Sequence, residues 1–187
     1  KGAGNIIQAH GKSITTAGGD VTFWADADNN RIGGIRIGSD TSGVFTTAIT
    51  TNGGDIVLSG GSDPLTGYAH YDGSLGAAFS TYHYAIGVFG ATLNASGTTE
   101  GGNIVVRGSG GNTFNGKLWT VNIGGQYGAH TKLVTNGTGT ISIVGDGSEA
   151  PVSSSSWATL TPGTVESDAG NIELIGLANV APVNARG

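Results

Sequence analysis

The sequence predicts an all-β protein, a parallel β-solenoid made of very short strands, and three observations predict it. Glycine takes 36 of the 187 residues, well over twice the usual share of about 7%. Charged residues are only 11% of the chain and hydrophobic ones 37%, a neutral composition rich in Ser, Thr and Asn. A short unit also recurs: Gly-Gly-Asp/Asn followed by an aliphatic-x-aliphatic triplet. The triplet has period 2, so two side chains share one face and the middle one takes the other. Strands this short do not stand alone. Stacked in successive turns, each covering the next, they do.

The unit can be followed along the chain. Its full copies are Gly18-Gly19-Asp20-Val21-Thr22-Phe23, Gly53-Gly54-Asp55-Ile56-Val57-Leu58 and Gly101-Gly102-Asn103-Ile104-Val105-Val106. Weaker copies are Gly33-Gly34-Ile35-Arg36-Ile37, Thr138-Gly139-Thr140-Ile141-Ser142-Ile143 and Ala169-Gly170-Asn171-Ile172-Glu173-Leu174, and Lys1 to Ile6 reads as the tail of another. A second alternation precedes several copies: Ser13-Ile14-Thr15-Thr16, Ala48-Ile49-Thr50-Thr51 and Lys132-Leu133-Val134-Thr135. Between the two alternations, Gly-Gly supplies a positive-φ corner, and Asp or Asn can bond its own backbone in the turn. If every copy marks one turn, the first third has turns of roughly 15 to 25 residues. Eight or so turns at about 4.8 Å each would then make a rod on the order of 40 Å long. Gly or β-branched residues interrupt every candidate helix. The expected core is Ile14, Val21, Phe23, Ile35, Ile37, Ile49, Ile56, Leu58, Ile104, Val106, Ile141, Ile143, Ile172 and Leu174.

Composition excludes several classes. With 4 Pro and no three-residue glycine period the chain is not collagen. A net charge of −5 is too small for a charge-solvated coil. Zero Cys removes disulfide scaffolds and thiolate metal sites. Eight scattered Lys and Arg form no nucleic-acid stripe, and no apolar run is long enough for a transmembrane helix. The absence of Met and a start in mid-pattern suggest a mature or excised piece.

The run Ile49-Thr50-Thr51-Asn52-Gly53-Gly54-Asp55-Ile56-Val57-Leu58-Ser59-Gly60-Gly61, with Val21 to Asp28 before it, resembles the repeat region of filamentous-haemagglutinin-type bacterial exoproteins. The resemblance is clearest over 13–61, 91–111 and 132–176. It implies a right-handed parallel β-helix with protruding loops, forming a shaft segment of a very large secreted adhesin at the bacterial cell surface. Nothing here matches the Asn-Pro-Asn-Gly-type motifs of that family's secretion domain, which implies shaft or passenger without its export signal.

Candidate sites each have a functional and a plain reading. Asp26, Asp28 and Asn30 have the D-x-D-x-N spacing that opens many calcium loops. Arg31 stands where such a loop wants Gly, and an Asx-rich corner explains the residues equally. The stretch 62–92 interrupts the repeat and gathers Tyr68, His70, Tyr71, Phe79, Tyr82, His83, Tyr84 and Phe89. It reads as an inserted loop whose Tyr68, His70, Tyr71, Tyr82 and Tyr84 contact a ligand. Its plain reading is an ordinary strand with Tyr82, Tyr84, Ile86 and Val88 packed on one face. His70, Asp72 and His83 are a weaker metal set. A β-helix polysaccharide-active enzyme would need carboxylates on successive turns; Asp20, Asp55 and Asn103 supply the column, but at corners where a turn role suffices. Thr15-Thr16, Thr46-Thr47 and Thr50-Thr51 do not continue into the regular array that ice binding requires.

The sequence therefore points to a structural and adhesive shaft, with no catalytic residues and no cofactor unless calcium occupies the 26–30 loop. Expected partners are glycans, a cell surface or further copies of the chain, meeting end to end at open sheet edges. A self-assembling filament subunit and a glycan-active enzyme are the alternatives.

Overall fold

The computed structural model describes residues 1–39, 46–71, 83–110, 117–124, 130–148, 155–160 and 163–178. Within them the protein is all-β, with parallel sheets and no α-helix. The strands come in rounds of three. The first round is β1 (Ile6–Gln8), β2 (Ser13–Thr15) and β3 (Val21–Ala25). The second is β4 (Ile35–Gly38), β5 (Thr47–Thr50) and β6 (Ile56–Gly60), followed by the two-residue β7 (Ala69–His70). The third is β8 (His83–Phe89), β9 (Ala91–Asn94) and β10 (Ile104–Ser109). The fourth is β11 (Lys117–Ile123), β12 (Lys132–Thr135) and β13 (Ile141–Gly147), and the fifth β14 (Ser155–Leu160), β15 (Thr164–Ser167) and β16 (Ile172–Ala178).

Each round contributes one strand to each of three sheets, ordered β1-β4-β8-β11-β14, β2-β5-β9-β12-β15 and β3-β6-β10-β13-β16. All strand pairs are parallel. Equivalent residues therefore lie in columns. Val21, Ile56, Ile104, Ile141 and Ile172 are in register, as are Phe23, Leu58, Val106, Ile143 and Leu174. Ile6, Ile35, Ile86 and Val121 form the matching column of the first sheet, and Ile14, Ile49, Leu93, Leu133 and Val165 that of the second. Members of all three sheets meet in one apolar cluster. The middle rounds are fully covered, whereas Ile14 and Phe23 of the first round are only partly buried. Ile172 and Leu174, expected in the core, are 44% and 55% exposed on β16, because β13 covers only one of that strand's edges.

Two expectations need correction. The Gly-Gly copies are not all equivalent. Those at 18, 53 and 101 lead into the third sheet, while Gly33-Gly34-Ile35 leads into β4 of the first, beside Ile6. One round is thus about twice the expected length: corner contacts join residues 35, 48 and 37 apart. The described strands make five layers rather than eight. The stretch 62–92 is also not an excursion throughout. Its end, His83–Phe89 and Ala91 onward, is regular strand in the first and second sheets. Residues 72–82 lie outside the described residues.

The corner explains why the sequence repeats Gly-Gly-Asx. Gly18 and Gly53 take positive φ, as the turn requires. In the later layers the glycine just before the Asx or Thr position has a different reason. A Cβ on Gly54 would sit 2.5 Å from the Gly19 carbonyl oxygen, one on Gly102 2.2 Å from that of Gly54, and one on Gly139 2.6 Å from that of Gly102. The layers approach too closely there for any side chain. The next residue ties them together. The Asp20 carboxylate accepts the Asp55 N–H at 2.8 Å, the Asp55 carboxylate accepts the Asn103 N–H at 2.6 Å, and the side-chain Oδ1 of Asn103 accepts the Thr140 N–H at 3.0 Å. Main-chain bonds run alongside, from the N–H groups of Val21, Ile56, Ile104 and Ile141 to the carbonyls of Asp55, Asn103, Thr140 and Asn171. The N–H groups of Asp55, Asn103 and Thr140 are met by the preceding layer and those of Val21, Ile56, Ile104 and Ile141 by the following one, so these corner donors are paired.

Candidate functional site

The opposite ends of the third-sheet strands behave differently. β6 pairs with β10 only over the aliphatic triplet; beyond it Ala25 is in register with Gly60 and Gly108 with Gly145. There β7 docks against β10, with Ala69 beside Gly108 and His70 beside Ser109. A Cβ on Gly60 would meet the Tyr68 carbonyl oxygen at 2.7 Å and Ala69 Cα at 2.8 Å, so β7 requires glycine beneath it. Ser109 is in turn in register with Asp146. His70, Ser109 and Asp146 thus stand side by side on three neighbouring strands.

The loop after β3 closes over this row. Asp26 (φ 48°), Asn29 (φ 56°) and Arg31 (φ 68°) are three of the four non-glycine residues with positive φ among the described residues. Asp and Asn tolerate this conformation and Arg does not readily. What holds the loop is Asp26, whose side chain is fully buried. One carboxylate oxygen accepts the N–H groups of Arg31 at 3.0 Å and Ile32 at 3.3 Å, and the other meets His70 Nδ1 at 2.8 Å. The His70 main chain is pinned as well, exchanging hydrogen bonds with Gly33 at 2.9 and 3.3 Å.

Burial pushes the His70 pKa below its ordinary value, outweighing the hydrogen bond and charge of Asp26, which raise it. Arg31 adds to the lowering, and Asp146 opposes it. The ring is therefore neutral near pH 7. With the acidic partner at Nδ1, its proton sits there as a donor to Asp26, which leaves the Nε2 lone pair. A cleft of about 340 Å³ opens in front, lined by Asn29, Arg31, Tyr68, His70, Ser109 and Asp146. Tyr68 is held by Arg107, whose Nη2 donates to the phenol oxygen at 3.1 Å and whose guanidinium lies 4.8 Å from the ring centroid. Asp146 Oδ1 accepts the Ser148 N–H at 2.9 Å and its hydroxyl at 2.6 Å.

Of the expected ligand-contact residues, Tyr68 and His70 line this cleft. Tyr71 and Tyr84 are buried and present no face. Tyr71 bonds His83 Nδ1 through its hydroxyl and stacks edge-on against that ring, with centroids 5.1 Å apart. Tyr84 packs edge-on against Phe89 at 5.1 Å, across Gly87. Tyr82, Phe79 and Asp72 lie outside the described residues. The expected calcium set has most of its side-chain oxygens engaged within the loop. Asp26 faces inward with both oxygens engaged, Asp28 accepts from Asn30 Nδ2 at 2.9 Å, and Asn30 Oδ1 accepts the Ile32 N–H at 2.9 Å. These contacts hold the loop, and no group of three His, Asp or Glu able to hold a metal is found among the described residues. His70 and His83 use Nδ1 on Asp26 and Tyr71 respectively. Asp20, Asp55 and Asn103 do stack, but as the corner ladder.

Sequence reasoning missed Arg31, Ser109 and Asp146. A signal was present: aligning Ile104-Val-Val-Arg-Gly-Ser109 with Ile141-Ser-Ile-Val-Gly-Asp146 places Ser109 beside Asp146. The partner His70 comes from a two-residue strand that no pattern marks. Among the described residues no helix is long and apolar enough to cross a membrane. Compared with the known protein families, the curated proteins and the solved structures, the chain matches none.

Proposed function

We propose that the chain is a right-handed parallel β-helix segment and serves as a structural, adhesive shaft in a large secreted bacterial surface protein of the filamentous-haemagglutinin type. The observation that carries this reading is the corner ladder, which keeps one register through layers whose connections differ in length. A chain that rotates strictly through three parallel sheets, with aliphatic columns inside and a hydrogen-bonded Asx column at one corner, is suited to extension and presentation. Immunogold labelling of producing cells with antibody to the folded chain tests the location. Label on filaments or at the outer surface is expected, and label confined to the cytoplasm overturns the reading.

A second structural reading, a self-assembling filament, is favoured by the exposed Ile172, Leu174 and Leu177 on the free edge of β16. Concentration-dependent fibres that disappear with Leu174→Lys would establish it. Turnover of a polysaccharide panel, lost with Asp55→Asn, would replace both readings with an enzyme.

A further inference from the structure

We propose that the cleft between the 26–32 loop and the ends of β7, β10 and β13 is a binding site for a neutral pyranose sugar. The proposal is independent of the shaft reading, since it rests on local geometry alone.

The cleft holds hydrogen-bonding capacity that no described residue uses. His70 and Ser109 are 7% and 2% exposed, both line the cleft, and no described residue bonds His70 Nε2 or the Ser109 hydroxyl. Neither atom is enclosed, so each depends on whatever occupies the cleft for its hydrogen bond. Here they share one opening, aligned by the β7–β10 register. The lining is also preorganised. Asp26 fixes the ring and tautomer of His70, Ser148 fixes Asp146, and Arg107 fixes Tyr68. Rigid polar groups around a small cavity spare a ligand the cost of ordering them. Positive φ at Asp26, Asn29 and Arg31 shows that the loop accepts strain to reach this arrangement.

The lining then selects the ligand. Arg31 and Asp146 bring one charge of each sign, and both act on His70. An anion would face the Asp146 carboxylate, and a cation would face the Arg31 guanidinium. An apolar ligand would leave His70 Nε2 and the Ser109 hydroxyl without partners. A neutral molecule dense in hydroxyls meets every demand. His70 Nε2 accepts one O–H, the second Asp146 oxygen accepts another, the Asn29 amide and Ser109 hydroxyl donate or accept, and Tyr68 offers an aromatic edge to C–H groups. The cavity volume lies at the lower end of the range for small-molecule sites, which suits a single ring or the end of a glycan chain.

The experiment uses the full chain labelled with ¹⁵N. The His70 imidazole nitrogens are observed by NMR at pH 7.5 during titration with the methyl glycosides of glucose, galactose, mannose and N-acetylglucosamine. Sodium phosphate and tetramethylammonium are the charged controls. The expected result is a saturable shift of His70 Nε2 with at least one glycoside, with a Kd on the order of 1 mM. Ser109→Ala and Asp146→Asn, which leave the Asp26–His70 contact intact, should each weaken it about tenfold. Tyr84→Phe, in the buried pair, should leave it unchanged. The proposal fails if no glycoside saturates His70, if Ser109→Ala and Asp146→Asn both bind as well as the parent, or if phosphate or tetramethylammonium saturates the same signal.

Discussion

The third sheet has two ends, and they are built on opposite plans. Ahead of β6, β10 and β13 the residues repeat: a glycine packed on a carbonyl of the preceding layer, then Asp, Asn or Thr whose N–H bonds the Asx side chain of that layer. Where the same strands end, the polar residues do not repeat. Asp26, Tyr68, His70, Ser109 and Asp146 are each used once, and the chain adds β7 and a strained loop to bring them together. Repetition builds the scaffold because identical layers solve identical packing problems. The departures from it place different chemistry on neighbouring strands, and that is where a site can form.

The largest effect is expected at the repeated end. Gly102→Ala puts a methyl group 2.2 Å from the Gly54 carbonyl oxygen, which the layer spacing cannot absorb locally. A loss of about 3 kcal/mol is expected, read from urea unfolding. A loss below a few tenths would mean that the corner is not held by close approach. At the other end, Asp26→Asn replaces an acceptor with an amide. The Asn oxygen can still take the Arg31 N–H, while its NH₂ must meet His70 Nδ1 as a donor. The cost expected is about 1 to 2 kcal/mol, and the His70 proton should move from Nδ1 to Nε2, visible in the imidazole ¹⁵N shifts. An unchanged tautomer would show that Asp26 does not set it.

Smaller effects sharpen the contrast. Asp55→Ala removes the acceptor for the Asn103 N–H and for its side-chain Nδ2, and about 1 kcal/mol should be lost. Asp55→Asn, which keeps an acceptor, should restore most of it. The pH dependence belongs to the unrepeated end. Burial holds His70 and His83 below the ordinary value of 6.5, so the unfolded chain binds more protons than the folded one just below that pH. Stability is complete above 6.5 and declines as pH falls through and below it. Around His70 the groups that shape this are Asp26, Arg31 and Asp146. Glu100, held below 4.5 by the Thr138 N–H and hydroxyl, adds a further decline below that pH. Midpoints of chemical unfolding at pH 7.5, 6.0 and 5.0 check the sign, and His70→Gln should flatten the first decline if it folds. His83→Gln provides the second check.

Much of the scaffold was legible because the forces behind it are periodic. Alternating Val21-Thr22-Phe23 or Ile104-Val105-Val106 has one physical reading, and every buried member of the expected core lies in a column. The round length was misread because Gly33-Gly34-Ile35 looks like the other corners while belonging to a different sheet. Sequence similarity reports the local turn, not which face it feeds. The site was half legible. Tyr68 and His70 stood out as aromatic and titratable residues in a break of the pattern. Their neighbours Ser109 and Asp146 lie 39 and 76 positions beyond His70 in the chain, and only the stacking of layers brings them alongside. Asp26 was legible as a loop carboxylate, but spacing alone does not show that its oxygens turn inward to Arg31, Ile32 and His70.

The corner ladder has one more consequence. Successive layers stay aligned although the residues joining them number 35, 48 and 37. Alignment is set at one edge, so chain length elsewhere is free to vary. Insertions and deletions in the connections beyond β6 and β10 would leave the stack in step, much as pages bound along one spine can differ in width. Such a molecule can acquire new surface segments, natural or grafted, without having to solve its folding problem again.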